Sequence, residues 1–177
     1  MMSHVYVTSD WHIGHTGITE RFRTQFPSDA YHDDYILENM REAVTNRDVL
    51  YVIGDVTWTK SGLEKIQEAD IPAKMIMVRG NHDTLPAEDY LTVFDDVHGA
   101  YKYKRYMFTH IPIHRQELWH SQKYDTSLLN VHGHCHRGGP WEVNKEWEYF
   151  NAILEYNNYM PVNMQKVGEL IQERKDA

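Results

Sequence analysis

The chain has 177 residues, with 18 Lys and Arg against 26 Asp and Glu, a formal charge of −8, and 41% apolar residues. Those figures fit a globular chain with one core and little room for a second, so residues 1–177 are read as a single domain. No apolar run approaches the roughly 20 residues of a membrane-spanning helix, and the acidic balance disfavours stable binding to long nucleic acid, whose affinity rests on neutralising phosphates. The first fifteen residues carry no Lys or Arg, so no export signal is expected there. The one cysteine, Cys135, can close no internal disulfide, which suits a reducing cytoplasm.

Residues 4–9 form a β-branched and aromatic run ending at Asp10 and predict a strand. Over residues 33–44, Ile36, Leu37, Met40, Ala43 and Val44 recur at helical spacing behind Asp33 and Asp34, predicting an amphipathic helix. Val49–Ile53 is continuously apolar and closes at Gly54, as a buried parallel strand does. Ser61, Gly62, Leu63 and Glu64 spell a capping box that opens a second helix, with Leu63 and Ile66 on its buried face. Residues 75–78 predict another buried strand, closed by Arg79 and Gly80. This alternation argues for a parallel sheet with right-handed crossovers. The second half differs. Short strands are expected at 97–103, 106–110, 128–132 and 148–154, with a brief helical interruption near 115–120. Residues 137–146 read as a loop. Met164, Val167, Leu170 and Ile171 mark a last helix capped by Asn163. The expected fold is α/β, with two sheets face to face and helices on the flanks.

Twelve histidines are many, and their positions are informative. Each predicted strand ends in residues able to ligate metal: Asp10 and His12, then Asp55, then Asn81, His82 and Asp83, then His110, then His134 and His136. The carboxyl ends of strands in an open α/β sheet face one crevice, so residues far apart in sequence would meet there. The set offers imidazole and carboxylate but no Cys pair. That excludes a thiolate-rich structural zinc site and suits manganese, iron, zinc, cobalt or nickel. Asp10 and His12 could share an ion only from a turn. The number of candidate ligands is too large for one tetrahedral site and fits two octahedral ones, with Asp55 placed to bridge.

Asp10-x-His12, Gly54-Asp55, Gly80-Asn81-His82-Asp83, His110 and Gly133-His134-x-His136, in that order, resemble the signature of the calcineurin-like metallophosphoesterases. Gly14-His15, His110-Ile111-Pro112 and Pro161-Val162 are most similar to its small bacterial and phage members. The resemblance implies a two-sheet αββα sandwich and two divalent ions, manganese before iron, zinc, nickel or cobalt, with no organic cofactor. Asp10, His12, Asp55 and His136 would hold the first ion; Asp55, Asn81, His110 and His134 would hold the second. His82 would face the substrate as a general acid, oriented by Asp83. The implied reaction is phosphoester hydrolysis by a hydroxide shared between the ions.

Substrate contacts are less legible. Arg79 and Arg115 are candidate phosphate contacts, Asn81 adds to them, and His15 could touch phosphate or support His12. His132 reads as a packed strand residue, and Cys135 as a small core residue. Trp11 and Trp58 could wall the site or simply pack its rim. The Tyr101–Tyr106 stretch reads as an edge strand guarded by lysines rather than a nucleic-acid platform. No segment is long enough for a large cap, so an open site is expected, favouring phosphodiesters: a cyclic nucleotide, a short nucleotide or another small diester. Phosphomonoesterase and nuclease activities are the alternatives, and a metal-stabilised interaction scaffold is the non-enzymatic one. The expected partner is a small phosphoester, neither membrane nor long nucleic acid, in the cytoplasm of a bacterium or a phage-infected cell.

Overall fold

The computed structural model describes residues 3–118, 128–136 and 148–176. Strands β1 (Val5–Thr8), β2 (Val49–Ile53), β3 (Lys74–Val78) and β4 (Asp96–His98) run parallel. The short β9 (Val162–Asn163) returns antiparallel to β1, giving a five-stranded sheet of order β4-β3-β2-β1-β9. The second sheet has order β5-β6-β7-β8, from β5 (Tyr101–Tyr103), β6 (Tyr106–Phe108), β7 (Leu129–His132) and β8 (Tyr149–Asn151). Its β6, β7 and β8 are parallel, and β5 is the antiparallel edge.

The strand period of two sorts the core. Leu50 and Val52 of β2, with Met75 and Met77 of β3, face the helix side. There they meet Ile36, Leu37 and Met40 of α2 (Asp29–Ala43), which follows the short α1 (Ile18–Arg21), and Leu63 and Ile66 of α3 (Lys60–Glu68), which precedes the short α4 (Ala87–Tyr90). Tyr51, Ile53, Ile76 and Val78 face the other way, onto Phe108, Val131 and Phe150 of the second sheet. Met164, Val167 and Ile171 of α5 (Met164–Asp176) close that inter-sheet core. The far face of the second sheet packs Tyr149 and Met107 against Leu118, which ends a 3₁₀ turn at Arg115–Leu118. The sequence expectations for helices at 115–120 and a loop at 137–146 lie partly and wholly outside the described residues.

Three local features differ from the sequence reading. Helix α2 starts a turn earlier than expected, because Ser28 caps it by accepting from the Tyr31 N–H at 3.2 Å, with Asp29 in the first turn. Helix α3 is capped by Thr59, which accepts from the Gly62 N–H at 3.0 Å, so Ser61 sits inside the first turn. The expected strand over 97–103 is two strands in different sheets, because the chain bends at Gly99 and Ala100 and crosses from one sheet to the other. The edge position of β5, with Tyr101 and Tyr103 packed inward on Tyr51 and Lys102 exposed, is that of a guarded edge strand.

The two sheets are stitched at one end. Ser9 makes a parallel bridge with Ile153, which brings the chain following β8 alongside the end of β1. The carboxyl ends of β1, β2, β3, β6 and β7 therefore open on one rim.

Candidate metal centre

The turn that leaves β1 and the turn that leaves β2 run side by side. The Asp10, His12 and Ile13 N–H groups donate to the carbonyls of Gly54, Asp55 and Val56 at 2.9, 2.9 and 2.8 Å. Within this double turn Asp10, His12 and Asp55 adopt φ of 61°, 54° and 51°, and His134 across the rim has φ 68°. Such left-handed backbone costs a residue with a side chain of order 1–3 kcal/mol and clusters at functional sites. Asp10 and His12 thus converge because they leave a turn, as their spacing required.

Asp10, His12 and His136 form one group of potential ligands, and Asp55, His110 and His134 a second. In the first, His136 Nε2 lies 3.2 Å from Asp10 Oδ1 and 3.3 Å from His12 Nε2, and His12 Nε2 is 3.8 Å from Asp10 Oδ1. In the second, His110 Nε2 lies 3.3 Å from Asp55 Oδ1 and 3.1 Å from Asn81 Oδ1. The two oxygens of Asp55 face different groups, Oδ1 toward His110 and Oδ2 toward His12 at 4.0 Å. The structure thus gathers Asp10, His12, Asp55, Asn81, His110, His134 and His136 around one rim.

The donor set fits divalent cations. Asp10 is fully buried, and its Oδ2 accepts from the Ser9 hydroxyl and the His134 N–H. Its Oδ1 is buried with no hydrogen-bond partner of good geometry, although it points into the cluster. A buried carboxylate oxygen is costly unless something positive sits beside it. Burial drives His12 down to about 3, which leaves its imidazole neutral, the form able to ligate a cation. Burial also opposes ionisation of Asp10 and Asp55, yet the histidines around them hold both carboxyls below the usual range, Asp55 at about 2. His110 fixes its orientation by donating from Nδ1 to the Ile53 carbonyl at 3.0 Å, leaving Nε2 for the cluster. His136 does the same by donating from Nδ1 to Glu155 at 2.9 Å. Although burial disfavours its charge, Asp10 and Glu155 raise His136 to about 9.

Glycine makes room for this density. A Cβ at Gly133 would overlap Ser9 Oγ and Asp10 Oδ2. Gly133→Ala should displace Asp10, lower the metal content of the protein and cost roughly 1–3 kcal/mol of stability. Elemental analysis and thermal unfolding check both parts.

His82 lies just outside the ligands. Its side chain is 54% exposed, its Nε2 is 4.0 Å from Asp55 Oδ2, and its ring centroid is 5.7 Å from that of His12 and 5.4 Å from Trp58. Asp83 does not orient it. Its carboxylate instead accepts from the N–H groups of Asp55, Val56, Thr57 and Gly80 at 2.8, 2.8, 3.3 and 2.7 Å. Asp83 is a clasp on the β2 and β3 turns, pushed up to about 6 by burial against the pull of those donors. The residue that positions His82 is Asp55, which accepts its backbone N–H at 2.9 Å.

Arg79 has a structural role. Its guanidinium donates to the carbonyls of Asp83 and Leu85 and lies over the Tyr90 ring, which holds the turn together. Arg115 pairs with Glu148 at 2.8 Å. His15 sits at the rim, its ring 5.9 Å from His12 and 4.6 Å from Trp58. Trp58 is half-buried there among His12, His15 and His82. Trp11 is fully buried on the helix side, its indole N–H donating to Thr8, and forms no part of a substrate wall. His132 is a packed strand residue, buried and donating to the Gly133 carbonyl at 2.9 Å. Cys135 is only half-buried.

Arg23 and Glu155 belong to none of the sequence motifs. Glu155 follows the last strand candidate as the ligands follow theirs, and that position was its one available signal. Arg23, fully buried in an ordinary-looking segment, carried none.

The calcineurin-like phosphoesterase family model matches residues 3–173, and the chain belongs to that family. An uncharacterized protein of Methanocaldococcus jannaschii is 23% identical over 177 residues, covering 98% of this chain and 94% of its own. The gene 66 protein of Mycobacterium phage D29 is 33% identical over 85 residues, covering 46% of this chain and 41% of its own. The crystal structure of an Aquifex aeolicus protein of unknown function shares the fold, with a TM-score of 0.68 at 24% identity over 95% of this chain and 99% of that one. Family and site together indicate a metal-dependent phosphoric ester hydrolase. Among the described residues no helix is long and apolar enough to cross a membrane.

Proposed function

We propose that the protein is a binuclear-metal phosphodiesterase acting on a small diester or nucleotide, with manganese as the working ion and His82 as general acid. The observation that carries this reading is Asp55, whose two oxygens face two separate imidazole-bearing groups. Two divalent ions bound there would lower the pKa of a shared water to near neutrality and neutralise the phosphate oxygens as charge builds on them.

The chain's own residues supply the rest. Asp10, His12 and His136 would hold one ion, and Asn81, His110 and His134 the other, with Asp55 common to both. His82, exposed and anchored through its backbone to Asp55, stands where it can protonate a departing alkoxide. His15 and Trp58 border the same opening. Asn81, His82 and His134 are all exposed, so among the described residues the rim is open. An open rim supports a substrate with groups on both sides of phosphorus over an enclosed monoester. The net charge of −8 fits a small substrate better than long nucleic acid.

The test is hydrolysis of bis-(p-nitrophenyl) phosphate against p-nitrophenyl phosphate across a series of divalent metals. Faster diester turnover, greatest with manganese and abolished by chelation, is the expected result. Faster monoester turnover would make it a phosphomonoesterase. Hydrolysis of neither, with two ions bound, would leave a metal-stabilised scaffold.

A further inference from the structure

Arg23 is a fully buried cation whose every donor is used. Its Nε and Nη2 donate to the two oxygens of Glu155 at 3.0 and 3.1 Å, the forked geometry that makes an Arg–carboxylate pair strong. Nη1 donates to the Trp11 carbonyl at 3.0 Å, and Nη2 also donates to the Asp10 carbonyl. Nη1 lies 2.6 Å from His32 Nε2. Arginine has no acceptor, so that nitrogen accepts and the His32 proton sits on Nδ1, 3.1 Å from Asp33. Asp33 in turn accepts from Lys65 at 2.6 Å and from the Gly14 N–H at 3.0 Å.

These bonds converge on one half of the centre. Arg23 holds the strained backbone of Asp10. It also holds the carbonyl of Trp11, next to His12, and through Asp33 the network reaches Gly14 just beyond. Glu155 passes its grip to His136, accepting from Nδ1 while Nε2 faces Asp10. None of these bonds reaches Asp55, His110 or His134. Glu155 also neutralises Arg23, so the buried cation does not stand uncompensated beside a cation site.

We infer that Arg23 and Glu155 are a positioning pair dedicated to the Asp10–His12–His136 group, setting the metal affinity of that half alone. This rests on the two-ion reading above. A purely structural ion pair would affect stability without distinguishing the two ions.

The experiment is manganese titration of the whole protein, with bound ions counted by elemental analysis after equilibrium dialysis and the exchange-coupled pair followed by EPR. The wild type should bind two ions. Glu155→Gln should keep one at wild-type affinity and bind the other about 10–100-fold more weakly, replacing the coupled signal by that of an isolated ion. Adding His134→Ala to Glu155→Gln should abolish the remaining tight ion, whereas adding His12→Ala should leave it. Arg23→Lys keeps the charge but cannot fork; it should show the same selective loss and carries the test if Glu155→Gln does not fold. Equal weakening of both ions, or unchanged binding of both, would overturn the inference while leaving the two-ion centre standing. A wild type binding fewer than two ions would overturn both.

Discussion

Asp55→Ala should empty both halves of the centre at once and lower phosphoester turnover by about 10³-fold or more. The other candidate ligands differ in reach: among the described residues His12 and His136 belong to one group and His110 and His134 to the other, whereas Asp55 presents one oxygen toward an imidazole of each. The ions are asked for several kcal/mol of transition-state stabilisation, and each 1.36 kcal/mol is about tenfold in rate. Asp55 also accepts the His82 N–H, so the variant loosens the acid together with the ions. Elemental analysis of dialysed protein gives the metal count, and circular dichroism checks that the fold survives. Two manganese ions retained at wild-type affinity would remove Asp55 as the shared ligand.

His82→Ala should behave differently, keeping both ions and losing activity according to the leaving group. A positioned general acid contributes about 10²–10⁴-fold, and that contribution is needed when the departing oxygen is a basic alkoxide. On diesters with alkyl leaving groups the loss should approach that range. On nitrophenyl esters, whose leaving oxygen is already stable as an anion, the loss should be far smaller. The His82 Nε2 stands 4.0 Å from Asp55 Oδ2, and the bond His82 makes to Asp55 is through its backbone N–H, which alanine keeps, so removing the imidazole leaves the ligand geometry in place. Equal losses on the two kinds of ester would contradict the acid role and point to His82 binding the phosphate instead.

Much of this architecture was readable from local patterns. Val49–Ile53 is a strand bounded as its apolar run and Gly54 imply, and the same rule put Asp55 at a strand end. The gathering of Asp10, His110 and His136 was foreseeable because parallel strands point their carboxyl ends the same way. Helix starts were less legible. Ser28 and Thr59 cap through side-chain bonds that compete on nearly equal terms with neighbouring Asp and Ser residues. The roles of Asp83 and Arg79 are less legible for another reason. Asp83 is a charged residue in a motif and Arg79 stands just before it, and backbone groups of turns that fold back on them engage both side chains, a contact no spacing rule encodes. Arg23 was invisible because a buried arginine has no periodic signature; its partner lies 132 residues away.

The crossing at Gly99 and Ala100 has a thermodynamic consequence. Asp10, His12, Asp55 and Asn81 precede it and follow strands of the first sheet; His110, His134 and His136 come after it and follow strands of the second. Each ligand group therefore takes members from both leaves of the sandwich, and neither leaf alone carries a complete set. Free energy released on coordination is in the same measure cohesion between the leaves. The rim that gathers the candidate ligands and the junction of the two sheets are one seam, which bound ions would fasten.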